Sequence, residues 1–223
     1  MSRLLSSKAI LLLSMASLIS MLPASATSVT FTTGGVACAP AGLCSAVPGA
    51  QLITFDGLGA GTTSPYTDGI ATYSFSGGSP FVIGSVASQY AAPPNDETTY
   101  LSGGSPDKSN PVTISFSVPI VYFGFYYGSP DEYNTIDFYQ GASVVGSFNG
   151  LTLLPPDGGD QTVGQYMNFN VVNGSVDKIV LSSPIAAFET DNHAFVAAPE
   201  PASFALIGLG FLVLRGCTYR RRK

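Results

Sequence analysis

The chain has 223 residues, nine Lys and Arg against fourteen Asp and Glu, and a formal net charge of −5. Only 10% of its residues are charged, 45% are hydrophobic and none is Trp. Residues 27–198 carry two lysines and thirteen acids, a net of −11 with no basic patch to neutralise phosphates. That excludes nucleic acid as an ordinary partner and argues against docking on anionic lipid headgroups.

The first 26 residues read as a secretory signal helix. Arg3 and Lys8 supply positive charge, residues 9–22 are mostly apolar, Pro23 breaks the run, and Ala24, Ser25 and Ala26 offer small residues to signal peptidase. The expected mature start is Thr27. Residues 33–49 follow as a Gly-, Ala- and Pro-rich linker holding Cys38 and Cys44, which enclose the five residues "APAGL". Export to an oxidising compartment makes a local disulfide the expected pairing. A zinc pair would want His or further Cys nearby, and none is there.

From residue 51 the sequence alternates with period two. "QLITFD" (51–56), "IATYSF" (70–75), "VTISFSV" (112–118), "TIDFYQ" (135–140), "SVVGSF" (143–148), "YMNFNV" (166–171) and "DKIVLS" (177–182) each read as a short strand. In 112–118, Val112, Ile114, Phe116 and Val118 are predicted on one face. "SGGS" at 76–79 and 102–105, then "FNG" and "VNGS", mark turns. Residues 91–108 and 153–165 read as long loops. About nine or ten strands and no soluble helix predict an all-β body over residues 27–197. The expected architecture is an antiparallel β-sandwich, jelly-roll-like, with a ten-stranded barrel as the alternative.

Chemistry-bearing residues are few. His193 is the one histidine, no Gly-x-Ser-x-Gly elbow is present, and the carboxylate pairs sit in turns, so no catalytic residues are assigned. A secreted hydrolase is the weakest of three readings. Asp56 in "FDG" and Glu189, Asp191 and Asn192 in "ETDN" lie at strand ends, and their oxygens would suit a structural Ca²⁺ if the first and last strands are neighbours. The stretch from Phe123 to Gly141 is the densest in aromatics. Tyr126, Tyr127, Asp131, Tyr133 and Asn134 there are the candidate sugar contacts of a carbohydrate-binding module, by ring stacking and hydroxyl recognition.

The chain closes with "PEPASFALIGLGFLVLRGCTYRRRK". Pro199, Glu200 and Pro201 hold the backbone extended. Residues 202–214 are an apolar run of 13, about 20 Å as a helix, a marginal single transmembrane span. Arg220, Arg221, Arg222 and Lys223 stop it and place the body on the outer side.

This order over residues 198–223, paired with a signal peptide, resembles the PEP-CTERM sorting signal of Gram-negative surface proteins. The resemblance implies recognition by exosortase, a membrane protease, and removal of the helix from an inner-membrane-anchored intermediate. The product would reach the cell surface or the extracellular polysaccharide matrix. Residues 123–141 resemble a loop-bearing hairpin of exosortase-dependent surface proteins. The leading expectation is a non-enzymatic exported surface or matrix protein, the second a carbohydrate-binding module of the same fold.

Overall fold

The computed structural model describes residues 25–199 apart from 41, 105–110, 154–159, 161 and 186. All but the last two residues of the predicted signal helix over residues 1–26, the predicted transmembrane helix, Glu200, Pro201 and the basic stop at Arg220, Arg221, Arg222 and Lys223 lie outside the described residues. Among the described residues no helix is long and apolar enough to cross a membrane.

Among the described residues fourteen strands form the body: β1 (Ser28–Thr33), β2 (Val36–Ala37), β3 (Leu43–Cys44), β4 (Gln51–Ile53), β5 (Tyr66–Asp68), β6 (Ala71–Ser74), β7 (Phe81–Ile83), β8 (Thr99–Gly103), β9 (Val112–Tyr127), β10 (Thr135–Gln140), β11 (Ser143–Asn149), β12 (Gln165–Val172), β13 (Val176–Ser182) and β14 (Phe188–Ala197). One helical turn, α1 (Gly150–Leu153), was not expected from the sequence. Twelve strands make one continuous antiparallel network, and β2 and β3 pair separately as a hairpin.

The network is two layers joined through β9, which is 16 residues long. Its first part pairs with β13 and β6. Its second part pairs with β12 and β14. Between them Ser117, Val118 and Pro119 are exposed, and the register with β13 shifts. Pro119 has no N–H for a ladder, so pairing changes where it stands. Val112, Ile114 and Phe116 are buried as their alternation predicts, whereas Val118 is 41% exposed at the changeover. One layer is thus β11-β10-β13-β9-β6-β5 and the other β1-β12-β9-β14-β8-β7, with β4 on the end of β14. The sandwich is present, but its layers share a strand, unlike a jelly roll of two separate sheets.

Aromatic side chains fill the space between the layers. Phe138 of β10 meets Phe169 of β12 at 4.9 Å between ring centroids, and Phe195 of β14 meets Phe116 of β9 at 5.7 Å. Phe31 of β1 meets Phe148 of β11 edge-on at 5.4 Å. Such pairs add about 0.5–1.5 kcal/mol each beyond their burial. A smaller cluster of Tyr122, Tyr126, Tyr166 and Ala194 lies apart from the main core, with Leu43, Val47 and Ala50 packed on it. A disulfide joins Cys38 to Cys44 across the β2–β3 hairpin, with Cα atoms 5.1 Å apart.

Candidate functional site

β14 organises the site. It pairs with β4, β8 and β9, and a bulge between Asp191 and Ala194 puts Asn192 at φ 50°. Before the bulge the strand alternates, so Glu189 and Asp191 share one face and Thr190 the other. The loop of residues 84–98 covers the Glu189–Asp191 face.

Glu189 is 2% exposed and both its carboxylate oxygens are engaged. Oε1 accepts the Ala91 amide at 2.9 Å, and Oε2 accepts the Ser129 hydroxyl at 2.8 Å. Burial pushes its pKa up from 4.5 to about 7, the Ala91 and Ser129 donors oppose that, and the charge of Asp131 adds to it. Glu189 lines a cavity of about 260 Å³ together with Ser85, Tyr90, Ser129, Asp131 and Tyr133. Burial also raises Asp131, which accepts a hydrogen bond from the Tyr133 hydroxyl.

Of the five candidate sugar contacts, only Asp131 and Tyr133 line this cavity. Tyr126, Tyr127 and Asn134 are buried at 3%, 0% and 1% exposure and support it from behind. Asn134 Nδ2 donates to the Ala187 carbonyl at 3.1 Å and to the Tyr127 hydroxyl at 3.2 Å, fixing the turn after β9. Tyr126 donates its hydroxyl to the Pro94 carbonyl at 2.8 Å and so holds the covering loop. Ser85 and Tyr90 were not expected; they come from a loop with no strand periodicity, and no local signal marks them.

The four expected calcium ligands are divided. Glu189 serves the cavity. Asp191 is 1% exposed and abuts Asp96, a residue the sequence did not single out. Asp56 is exposed on the loop after β4, close enough for its charge to act on Asp191. Asn192 has its side-chain nitrogen beside Gly42, and its carbonyl accepts the Tyr166 hydroxyl at 2.9 Å. Among the described residues no three His, Cys, Asp or Glu side chains are grouped to hold a metal.

His193 is wholly buried. Its Nδ1 bonds the Tyr73 hydroxyl and its Nε2 the Thr190 hydroxyl, each at 2.9 Å. Phe55, Phe123 and Phe125 surround the ring, and burial lowers its pKa to about 3. This is a neutral core histidine with both nitrogens occupied.

Fold and site together define an all-β sandwich with a small polar cavity at one end of its central strand. β14 ends at Ala197, the Ala198 amide donates to the Pro119 carbonyl at 2.7 Å, and Pro199 is exposed beyond it. Residues 197–223 match the family model described as the PEP-CTERM protein-sorting motif. The chain therefore carries the signal for exosortase-dependent sorting of an exported protein, through a membrane-anchored intermediate. The comparison with curated proteins returns no match to this chain.

Proposed function

We propose that the chain is a non-enzymatic protein of the cell surface or extracellular matrix. Exosortase releases its β-sandwich from the tail, and the sandwich binds carbohydrate in the cavity between residues 85–91, the turn 128–134 and Glu189. The observation that carries the reading is the lining: Tyr90 and Tyr133 supply rings, Ser85 and Ser129 hydroxyls, and Asp131 and Glu189 carboxylates. Sugars present an apolar ring face and a rim of hydroxyls, and this mixture answers both. Binding rather than turnover is supported by the committed acids. Both Glu189 oxygens hold the scaffold, and Asp131 is bonded to Tyr133.

Two measurements test it. Mass spectrometry of the surface form locates both termini; ends near Thr27 and Pro199 are expected, and an intact Met1-to-Lys223 chain overturns the export account. A glycan array with the full chain is expected to give hits that Tyr133→Ala and Asp131→Ala remove. Hits that persist in both variants overturn the cavity assignment, and glycan cleavage overturns the non-enzymatic one.

A further inference from the structure

Asp96 and Asp191 carry an electrostatic problem that the protein's own side chains do not solve. Both are buried, at 5% and 1% exposure. Asp96 Oδ1 accepts from the Thr98 amide and hydroxyl at 2.9 and 2.6 Å. Its Oδ2 has no hydrogen-bond donor, and neither has Oδ1 of Asp191. The two carboxyl groups stand within hydrogen-bond reach of each other, and Asp56 adds a third negative charge nearby. Lys178, the one Lys or Arg among the described residues, lies 4.0 Å over the Tyr139 ring on β10 and β13, away from this end of β14. His193 is neutral and committed to Tyr73 and Thr190. Two abutting buried carboxylates without a counter-charge cost several kcal/mol unless something positive sits between them.

We propose that Asp96 and Asp191 hold a divalent cation between their orphaned oxygens, and that it pins the 84–98 loop onto β14. The donors are all hard oxygens with no nitrogen or sulfur, which selects calcium; backbone carbonyls and water complete its shell, and Asp56 lends charge from outside. This keeps Asp191 from the four ligands expected from sequence and exchanges the rest for Asp96. Glu189 already fastens the same loop at Ala91, so the cation is a second fastening, five residues on. The inference does not depend on carbohydrate binding.

The test uses the full chain, stripped with EGTA and titrated with CaCl₂. A rise in Tm of about 5–10 °C is expected at a hundredfold excess over Kd. Tyr126 lies beside both carboxylates and would sensitise Tb³⁺ luminescence, with CaCl₂ displacing the signal. Asp96→Asn and Asp191→Asn should each abolish both responses, and either one that keeps the β-sheet circular dichroism suffices. No calcium-dependent Tm and no displaceable Tb³⁺ signal in the wild type overturns the site; a shared proton predicts that, with Tm rising on acidification instead. Responses that survive in both variants place the cation elsewhere, and an equal shift with MgCl₂ overturns the assignment to calcium.

Discussion

Glu189→Gln isolates the energetics of one buried proton. The carboxyl is 2% exposed, and burial moves its midpoint from 4.5 to about 7. The folded state therefore holds this proton more tightly than the unfolded chain. Stability from Glu189 is fully present below pH 4.5 and is lost as pH rises toward 7, by about 3 kcal/mol in all. Gln has the same shape and no titration. Its Oε1 still accepts the Ala91 amide, and its Nε2 donates to the Ser129 oxygen instead of accepting, a swap worth about 1 kcal/mol either way. The stability of the variant relative to wild type should thus climb by about 3 kcal/mol between pH 4.5 and 8. Urea unfolding followed by circular dichroism at fixed calcium, at pH 4.5, 6 and 8, measures that difference. A constant offset across the series, or a variant that loses ground as pH rises, would refute the reasoning.

His193 predicts the opposite limb: its depressed pKa of about 3 keeps it neutral in the fold, so the stability present above pH 6.5 drains as pH falls toward 3. The loss reaches about 5 kcal/mol, and His193→Gln should flatten the acid side of a Tm-against-pH curve. Gly150→Ala would drive a Cβ into the Asp131 carbonyl, so a loss of about 1–3 kcal/mol is expected in urea unfolding, with weaker glycan binding because the same turn carries Tyr133. Cys38→Ser with Cys44→Ser opens only a short loop and should cost about 2 kcal/mol in the same assay, leaving the main sheet's circular dichroism unchanged.

The alternating segments were legible because one face of each meets the core. Val112, Ile114 and Phe116 of β9, Ile136 and Phe138 of β10, and Met167 and Phe169 of β12 are all buried as the period-two pattern requires. β8 was missed, its five residues lost in a predicted loop, because "TYLSG" is buried on both faces and does not alternate. Asn168 breaks the inside-outside rule for another reason: Tyr122 and the Gly34 carbonyl satisfy its amide at 2.7 Å each, so a polar residue is stable on the buried side. The aromatic-rich stretch supplies two of its five candidate residues to the cavity lining and buries the other three. Tyr126 and Tyr127 point to opposite faces of β9, and both faces are covered there, Tyr127 by the main core and Tyr126 by the smaller tyrosine cluster, so only Asp131 and Tyr133, on the turn, reach the cavity. Asp96 could not be found from sequence, because its value lies in meeting Asp191 across 95 positions, and no local spacing encodes such a meeting.

The place of β14 in the chain has a consequence for export. It is the last strand before the sorting motif, yet β4, β8 and β9 all hydrogen-bond to it, and it contributes His193 and both loop-fastening acids. A polypeptide threaded outward from its N-terminus cannot complete its middle until that final segment emerges. On the export route proposed above, the sorting motif follows this strand directly, so the chain would still be held at the membrane while its keystone drops into place. A cut beyond Ala198, as the proposed function requires, would free a finished body without unpicking a rung of the β14 ladder, which ends at Ala197.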